Sequence, residues 1–203
     1  QYDRSDNATG HQQRAWICYT AMQSYIETGL IGLEVASGGV CTPHCLSTDF
    51  IGNNETPVYG GGPMQGVQIK INMNDLSLFG SDSFGCVIGN HALEHADCNK
   101  LKGGESQQEK FAINCDAMEL VDLFDNHWLR VIKSGGFLAQ VFPDETPCLR
   151  NGSSSLFHDV THNHSLSPAK IRKILSHLKT PVEVVEFDTF NNNFSTNLAL
   201  RKL

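Results

Sequence analysis

The segment LIGLEVASGG, residues 30–39, joins a short apolar run to a turn of small residues. The apolar run predicts a buried strand, since a strand covered on both faces of a sheet carries few polar side chains. Glu34 stands near the end of this run, and Gly38 and Gly39 let the backbone of the turn approach a ligand closely. The segment therefore predicts a strand that carries a ligand-binding loop at its carboxyl end.

Six further strands and three helices are predicted along the chain. The strands are expected at residues 46–50, 67–71, 86–89, 137–142, 182–187 and 196–200. The helices are expected at residues 10–27, from 106 to the glycine pair at 135–136, and from 168 onward. This alternation is typical of one α/β domain with a mostly parallel seven-stranded sheet and helices on both faces. Ligands bind such sheets at the carboxyl ends of the strands.

The apolar spacing assigns a face to each of the first two helices. In the first helix the large apolar side chains share one side, namely Trp16, Tyr19, Met22 and either Tyr25 or Ile26. The second helix is expected to begin at a capping box formed by Ser106 and Glu109. Its buried stripe is expected to contain Met118, Val121, Phe124, Trp128 and Val131.

The charge and hydropathy of the chain exclude two classes of partner. The 15 Lys and Arg residues are scattered along the sequence and are outnumbered by 22 Asp and Glu residues, which gives a net charge of −7. A nucleic acid partner is not expected, because phosphate binding needs a basic patch. No run approaches the roughly 20 apolar residues of a transmembrane helix, so no membrane span is expected.

Two features favour a secreted protein or a protein of the secretory-pathway lumen. The seven cysteines contain no CxxC pair, which leaves disulfides as an alternative to a zinc ribbon. Five Asn-x-Ser/Thr sequences could carry N-linked glycans, at Asn7, Asn54, Asn151, Asn163 and Asn193. The alternative is a cytoplasmic enzyme with buried thiols and unused glycan acceptor sites.

Polar motifs follow the predicted strands in a regular order. Asp49 ends the second strand, and NDL at 74–76 follows the third. The sequence NHALEH at 90–95 follows the fourth strand, and WLRVIKSGGFL at 128–138 leads into the fifth. In this order the sequence resembles class I S-adenosylmethionine-dependent methyltransferases with a type 11-like domain. The resemblance covers residues 30–145 by motif and extends to residue 203 by topology.

The resemblance implies a Rossmann-like class I methyltransferase fold in one domain, residues 1–203. Residues 1–29 would form an N-terminal helix, and residues 30–145 would form the cofactor-binding half. Residues 146–203 would supply an acceptor-side loop, the last helix and the closing strands.

The resemblance also implies that S-adenosylmethionine is the cofactor. The turn after the first strand would pass under its methionine part. Asp49 would hold the ribose hydroxyls, because a carboxylate accepts both hydrogen bonds. The residues assigned to the turn are Glu34, Ala36, Gly38 and Gly39.

Two further pairs of residues are assigned to the cofactor in the same way. The carboxylate of Asp75 would bind the exocyclic amine of adenine, and Leu76 would pack on the adenine ring. Asn90 and His91 would line the floor beneath the transferred methyl group, with His91 close to the reaction.

The first loop departs from the family pattern. Ala36 and Val40 stand where glycine is usual, and only 15 positions separate Glu34 from Asp49, too few for a full helix between the first two strands. A compact turn at residues 41–45 is one interpretation of this short connection. The other is a metal site with three ligands, Cys41, His44 and Cys45.

The segment FHDVTHNH, residues 157–164, lies after the fifth strand, where this family carries its acceptor loop. One of His158, His162 and His164, with His158 the first candidate, would act as general base for a hydroxyl acceptor, since imidazole takes up protons near neutral pH. Two alternatives stay open, a polar surface loop and a metal site formed by His158, His162 and His164.

Two functions are compatible with these observations. The first is an S-adenosylmethionine-dependent methyltransferase that acts on a hydroxyl or carboxyl of a small molecule or glycan, with His158 and His91 as catalytic residues. The second is a catalytically inactive, methyltransferase-like secreted glycoprotein with a structural or interaction role. Ala36, Val40 and the short connection favour the second function.

Overall fold

The computed structural model of the protein describes residues 5–56, 63–105, 109–110, 113, 115–143, 161–189 and 195–203. Its strands are β1 Gly32–Glu34, β2 Cys45–Asp49, β3 Ile69–Lys70, β4 Phe84–Asn90, β5 Ile132–Pro143, β6 Val182–Thr189 and β7 Ser195–Lys202. The first and last helices are α1 Ser5–Thr28 and α3 Pro168–Leu175. Between them, α2 consists of three consecutive segments, Ala117–Asp122, the π-helical Leu123–Trp128 and Leu129–Val131.

The strands form one sheet in the order β3-β2-β1-β4-β5-β7-β6. The five strands β1 to β5 pair in parallel, whereas β7 runs antiparallel to both of its neighbours, β5 and β6. This topology confirms the predicted α/β class with a mostly parallel seven-stranded sheet. The chain order reverses between β1 and β4, so a cleft can open at the carboxyl ends of these two strands.

Helices cover both faces of the sheet, as predicted. On one face, Ile17 of α1 packs in a cluster with Ile88 of β4. On the other face, Phe124 and Trp128 of α2 pack in one cluster with Ile171 of α3. All five side chains are fully buried, and burial of such a side chain contributes roughly 1.5–3 kcal/mol to folding. The core is therefore divided by the sheet into two layers.

Most of the side chains predicted for the buried side of α1 do not face the sheet. Tyr19 and Ile26 are 66% and 68% exposed, and the buried side of the helix carries smaller residues such as Ser24. The reason is the close approach of α1 to β4, since a Cβ added at Gly85 would lie 2.8 Å from Ser24 Oγ. No aromatic ring fits in that space. Trp16, at the edge of the interface, donates from Nε1 to Glu186 Oε2 at 3.0 Å.

The predicted second helix is interrupted, since residues 109, 110 and 113 are helical whereas residues 115 and 116 are not. Asp116 has extended backbone angles, and its side chain accepts a hydrogen bond from the Met118 amide, so it is the N-cap of α2. The prediction of one helix from residue 106 is therefore wrong, and the proposed capping box at 106–109 lies largely outside the described residues. Of the predicted stripe, Met118 is 43% exposed because it stands in the first turn, while the other four side chains are buried.

β5 is longer than the strand predicted at residues 137–142. Ile132, directly after α2, already pairs with Phe84, and the register shifts before Phe137 pairs with Cys86. Gly135 lies in this irregular part with a φ of +82°, which glycine adopts at low cost. The prediction that the glycine pair ends the helix is therefore wrong, because the pair lies inside the strand.

None of the helices in the described ranges combines the length and the apolar character that crossing a membrane requires. The predicted strand at residues 67–71 is reduced to the two residues of β3. The short connection from residue 35 to 44 forms tight turns, with hydrogen bonds from Val40 N to Ser37 O and from Cys45 N to Thr42 O. This observation confirms the predicted compact turn.

Gly32 in β1 stands between two cysteine side chains. A Cβ at this position would lie 2.5 Å from Cys86 Sγ and 2.7 Å from Cys45 Sγ, which is closer than atoms can pack. The hydrogen bond with Cys86 and burial both raise the pKa of the Cys45 thiol. Both thiols are free in the structure. Glycine is required here because a larger side chain does not fit between the two sulfur atoms, and not because of its backbone conformation.

We expect Gly32→Ala to lower the free energy of unfolding by about 2 kcal/mol, because the added methyl group overpacks the interior. The variant Cys86→Ala provides a matched background, since it removes one of the two clashing sulfur atoms. In that background the cost of Gly32→Ala should fall by about 1 kcal/mol, as measured by urea denaturation in a double-mutant cycle. An equal cost in both backgrounds would contradict the proposed clash.

Candidate functional site

A cavity of about 610 Å³ opens at the carboxyl ends of the parallel strands. Ala36 and Gly38 after β1 contribute to its wall, as does Asp49, the last residue of β2. Residues 72–74 after β3 and His91 after β4 complete this end of the cavity. The strand-end loops singled out in the sequence therefore meet at one place, as expected for a mostly parallel sheet.

The turn after β1 has an unusual backbone. Ala36, Gly38 and Gly39 have φ angles of +48°, +61° and +78°, which lie in the left-handed region. Glycine adopts this region freely, whereas alanine adopts it at a cost. A Cβ at Gly38 would meet no atom within 4 Å, so the backbone at this position faces open space. The turn thus keeps a glycine-like conformation at Ala36, where the family pattern has glycine.

Asp49 links the ends of β1 and β2. Its Oδ2 accepts a hydrogen bond from Gly38 N at 2.9 Å, and its Oδ1 accepts one from Ile51 N at 3.0 Å. The residue is largely buried and lines the cavity. Each carboxylate oxygen has a second lone pair, so Asp49 can accept further hydrogen bonds from a ligand.

Glu34 does not line the cavity. Its Oε1 accepts a hydrogen bond from Arg14 Nη1 at 2.6 Å, and its Oε2 accepts one from Thr42 N at 2.8 Å. The carboxylate is 1% exposed. Glu34 therefore joins α1, β1 and the connection to β2, and the side chain is fully occupied within the protein.

The two residues predicted for adenine lie beside the cavity instead of in its wall. Leu76 is fully buried in the core, and Asp75 is exposed with Oδ1 accepting a hydrogen bond from Ser77 N. The side-chain and backbone hydrogen bonds of Ser77 lower the pKa of Asp75. Because β3 already ends at Lys70, residues 72–74 reach the cavity. The resemblance gave no role to Asn72, although this residue follows the predicted strand directly.

Asn90 and His91 lie at the end of β4, and of these two residues His91 lines the cavity whereas Asn90 does not. The side-chain oxygen of Asn90 is buried and accepts no hydrogen bond from the residues that the structure describes. His91 lines the cavity with a φ of +55°, and its Nδ1 lies 3.1 Å from Glu94 Oε1. Burial acts to raise the pKa of Glu94, but the His91 hydrogen bond and the neighbouring imidazoles outweigh it and lower the pKa.

The second end of the cavity is formed by parts of the chain that are distant in sequence. His95 lies on the short helical turn Leu93–His95, and Thr161 and Asn163 lie on the segment before α3. Thr161 Oγ1 lies 2.9 Å from His95 Nδ1. Lys110 also lines this end and donates from Nζ to Asn163 Oδ1 at 3.1 Å. Thr161 carries no sequence signal beyond its place in the histidine-rich segment, and Asn163 was singled out only as a glycan acceptor sequence.

The histidines of that segment have different environments. His164 is buried, donates from Nε2 to Asp97 O at 3.0 Å, and has a pKa lowered to about 4 by burial. It is therefore neutral and structural. The ring of His162 lies beside His95, with the ring centroids 4.8 Å apart. His158 lies outside the described residues, so its predicted role as general base stays a prediction.

The predicted cysteine and histidine metal site does not form. Cys41 Sγ donates to Gly66 O, and the ring of His44 stacks on Tyr25. Cys45 lies instead beneath α1, beside Cys86. These three residues are all described, and they do not occur together among the groups whose ligand atoms lie within 4.8 Å of one another.

No protein-family model matches the sequence, and no curated protein matches it. A possible exported protein from Bordetella parapertussis has a TM-score of 0.55 at 10% identity, over 94% of this chain and 67% of that chain. Magnesium protoporphyrin IX methyltransferase from Synechocystis, with bound S-adenosylmethionine, has a TM-score of 0.52 at 12% identity, over 100% of this chain and 86% of that chain. An S-adenosylmethionine-dependent methyltransferase from Archaeoglobus fulgidus has a TM-score of 0.51 at 16% identity, over 93% of this chain and 94% of that chain.

These similarities concern the fold. They confirm the Rossmann-like arrangement of class I methyltransferases that the order of the sequence motifs predicts. The cofactor, the acceptor and the roles of individual residues rest on the geometry of the cavity.

We expect Ala36→Gly to raise the free energy of unfolding by about 1 kcal/mol, because glycine adopts the left-handed backbone without strain. Ala92→Gly is the matched control, since Ala92 has a φ of −113° and should lose stability instead. Thermal and urea denaturation of the two variants measure the difference. A loss of stability in Ala36→Gly would show that the turn does not hold its left-handed conformation in solution.

Proposed function

We propose that the protein is an S-adenosylmethionine-dependent methyltransferase that acts on an oxygen atom, a hydroxyl or carboxyl, of a small molecule or glycan. The observation that carries this proposal is the position of Asp49. Its carboxylate lines the same cavity as the left-handed turn after β1, at the reversal point of a methyltransferase-like sheet. A ribose-binding carboxylate and a turn with an accessible backbone are thereby adjacent.

The residues of the cavity fit this cofactor. The volume of about 610 Å³ is within the range of roughly 300–1,000 Å³ that small-ligand sites have. Gly38 offers a backbone without a side chain, and Ala36 adds only one methyl group. Asp49 keeps acceptor capacity after its two backbone hydrogen bonds. The departure at Ala36 therefore does not close the site.

Different groups of the chain contact different parts of the cofactor. S-adenosylmethionine supplies a methyl group on a sulfonium, which is transferred in line to a nucleophile. Asp49 accepts hydrogen bonds from the ribose hydroxyls, and the turn at 36–39 contacts the methionine part. Residues 72–74, and not Asp75 and Leu76, contact the adenine side. Glu34 holds the turn in place through its contact with Thr42.

His91 is the described residue best suited to act near the methyl group. It lines the cavity between the Asp49 end and the end formed by His95 and Thr161. Its side chain is 39% exposed, so a ligand in the cavity can contact it. We infer that His91 orients the acceptor oxygen or accepts its proton, a role that imidazole often has in catalysis. The same role remains predicted for His158.

Isothermal titration with S-adenosylmethionine tests the role of Asp49. We expect Asp49→Asn to weaken binding at least tenfold, which corresponds to about 1.4 kcal/mol, because the neutral amide is a poorer acceptor for two hydroxyls. Asp75→Asn is the matched control, since Asp75 is exposed and outside the wall, and its affinity should equal that of the wild type. Melting temperatures of both variants separate a binding effect from a folding defect. Unchanged affinity in Asp49→Asn would refute the assignment.

A second candidate function, a catalytically inactive secreted glycoprotein, is favoured by one observation. Cys98 and Cys115 lie at disulfide-bonding distance, with 5.9 Å between their Cα atoms. We propose on this basis that the protein passes through the secretory pathway and that this disulfide forms there. No binding of S-adenosylmethionine by folded wild-type protein would favour this second function over the first.

The two described glycan acceptor sites differ in their surroundings. Asn54 is exposed and its Oδ1 accepts a hydrogen bond from Gln65. Asn163 donates from Nδ2 to the carbonyls of His95 and Ala96, so its amide is used within the protein. We therefore propose Asn54 as the preferred acceptor of the two. The other three sequences are at Asn7, Asn151 and Asn193, whose side chains lie outside the described residues.

We expect the Cys98–Cys115 disulfide to raise the free energy of unfolding. Replacing both Cys98 and Cys115 by serine should lower the free energy of unfolding by about 3 kcal/mol in non-reducing buffer, because the cross-link closes a loop with a sequence separation of 17. Cys41→Ser is the control, since Cys41 is an exposed free thiol, and it should change stability little. A reducing agent should abolish the difference between wild type and double variant. Equal stability before reduction would mean that the two thiols stay unpaired.

A further inference from the structure

A buried carboxylate and two imidazoles meet beside the cavity. A carboxylate oxygen of Glu94 and ring nitrogens of His95 and His162 all lie within 4.8 Å of one another. Glu94 is fully buried, and its Oε2 accepts no hydrogen bond from the residues that the structure describes. The function proposed above uses neither Glu94 nor His162.

Backbone hydrogen bonds hold the two parts of this cluster together. The amides of Asn163 and His164 both donate to the carbonyl oxygen of Glu94, at 2.8 and 3.0 Å. The side chain of Asn163 adds hydrogen bonds to the carbonyls of His95 and Ala96. The segments 94–96 and 161–164 are therefore fixed against each other, although about 65 residues separate them in sequence. The cluster is held by the fold and does not depend on flexible surface side chains.

Further contacts orient the three side chains. His91 Nδ1 lies 3.1 Å from Oε1 of Glu94, and Thr161 Oγ1 lies 2.9 Å from Nδ1 of His95. The His162 ring stands nearly perpendicular to the His95 ring, at an interplanar angle of 83°. Contacts of this kind fix the tautomer and the direction of imidazole ligands in metal sites.

The charge of the cluster is compatible with a cation. A buried carboxylate is costly unless an opposite charge or several hydrogen bonds compensate it. Glu94 Oε1 has one close imidazole, His91, and a second at 3.9 Å, His162, while Oε2 has no described hydrogen-bond donor. A divalent cation would compensate the carboxylate and use the nitrogen lone pairs of neutral imidazoles at the same time.

We propose that Glu94, His95 and His162 bind a divalent transition-metal ion, such as Zn²⁺, beside the acceptor end of the cavity. Two imidazoles and one carboxylate are a common ligand set for such ions, and they leave at least one coordination position open. Ligand atoms around a tetrahedral Zn²⁺ are about 3.3 Å apart, so small side-chain rotations bring the three atoms together. This set replaces the predicted set of His158, His162 and His164, with which it shares only His162.

The open coordination position of the ion indicates the class of acceptor. This inference rests on the proposed function. His91, His95 and Thr161 line the cavity, so a ligand in the cavity can reach the ion. A hydroxyl bound to a divalent ion has a lower pKa and releases its proton to water more easily. The resulting oxyanion is a better nucleophile. The acceptor is therefore an alcohol or phenol whose oxygen binds the ion.

Metal titration of the full chain without an affinity tag tests the site. The protein is first freed of metal by dialysis against a chelator and then titrated with Co²⁺, whose visible absorption reports its ligands, with Zn²⁺ as competitor. We expect one Co²⁺ per chain, displaced by Zn²⁺. Glu94→Gln and His162→Ala should each weaken Co²⁺ binding at least tenfold, since each removes one of three protein ligands.

Two controls make the result specific. His177→Ala removes an exposed histidine outside the cluster and should leave Co²⁺ binding unchanged. The absence of a sulfur-to-cobalt band in the ultraviolet would exclude binding by the free cysteines. If Glu94→Gln does not fold, His162→Ala decides, because His162 is partly exposed and its loss is better tolerated. Wild-type binding that survives in His162→Ala, or no Co²⁺ binding at all, would overturn the proposal.

The titration also separates this proposal from the proposed function. Metal-free protein that binds S-adenosylmethionine but no Co²⁺ would refute the metal site and leave the methyltransferase proposal intact. Protein that binds Co²⁺ through Glu94 and His162 but not S-adenosylmethionine would support the metal site and refute the proposed methyl transfer, together with the acceptor class.

Discussion

The carboxylate of Glu34 joins α1 to the end of β1 and to the connection between β1 and β2. It ends β1, receives the Arg14 guanidinium from α1 and accepts a hydrogen bond from the Thr42 amide in the connection to β2. Because a buried carboxylate that loses its partners is strongly destabilising, these contacts form together or not at all. The turn after β1 is thereby fixed before any ligand binds. Asp49 and the Thr48 carbonyl also hold this turn, so the Asp49 end of the cavity is fixed from both β1 and β2.

Most of the sheet could be predicted from the sequence, because buried parallel strands consist of short apolar runs that are easy to recognise. The orientation of α1 could not be predicted from the sequence. Its aromatic side chains predict a buried side, but Gly85 brings the helix so close to the sheet that only small side chains such as Ser24 fit between them. The start of α2 was missed for a similar reason, since the cap at Asp116 interrupts an otherwise continuous helical pattern.

The candidate site was predictable where it depends on strand ends and not where it depends on tertiary contacts. Asp49 and His91 follow strands whose ends the apolar runs define, and both line the cavity. Asp75 and Leu76 were assigned to adenine by the resemblance at NDL 74–76, whereas residues 72–74, just after the two-residue β3, line the cavity. Thr161 reaches the cavity through hydrogen bonds between segments distant in sequence, which no local pattern encodes. Local sequence patterns therefore predict the Asp49 end of the cavity better than the end formed by His95 and Thr161.

The position of Gly32 in β1, between β2 and β4, also decides whether the two thiols beside it can form a disulfide. Cys45 pairs with Gly32, and the pairing of Leu33 with Val87 puts Cys86 on the other side of Gly32. Two strand spacings, roughly 9–10 Å, separate the backbones of the two cysteines, which is beyond the reach of a disulfide. The order of folding and oxidation then matters. A chain that completes its sheet first cannot form a Cys45–Cys86 disulfide, whereas a chain that formed one first would have to break it before β1 could enter between β2 and β4.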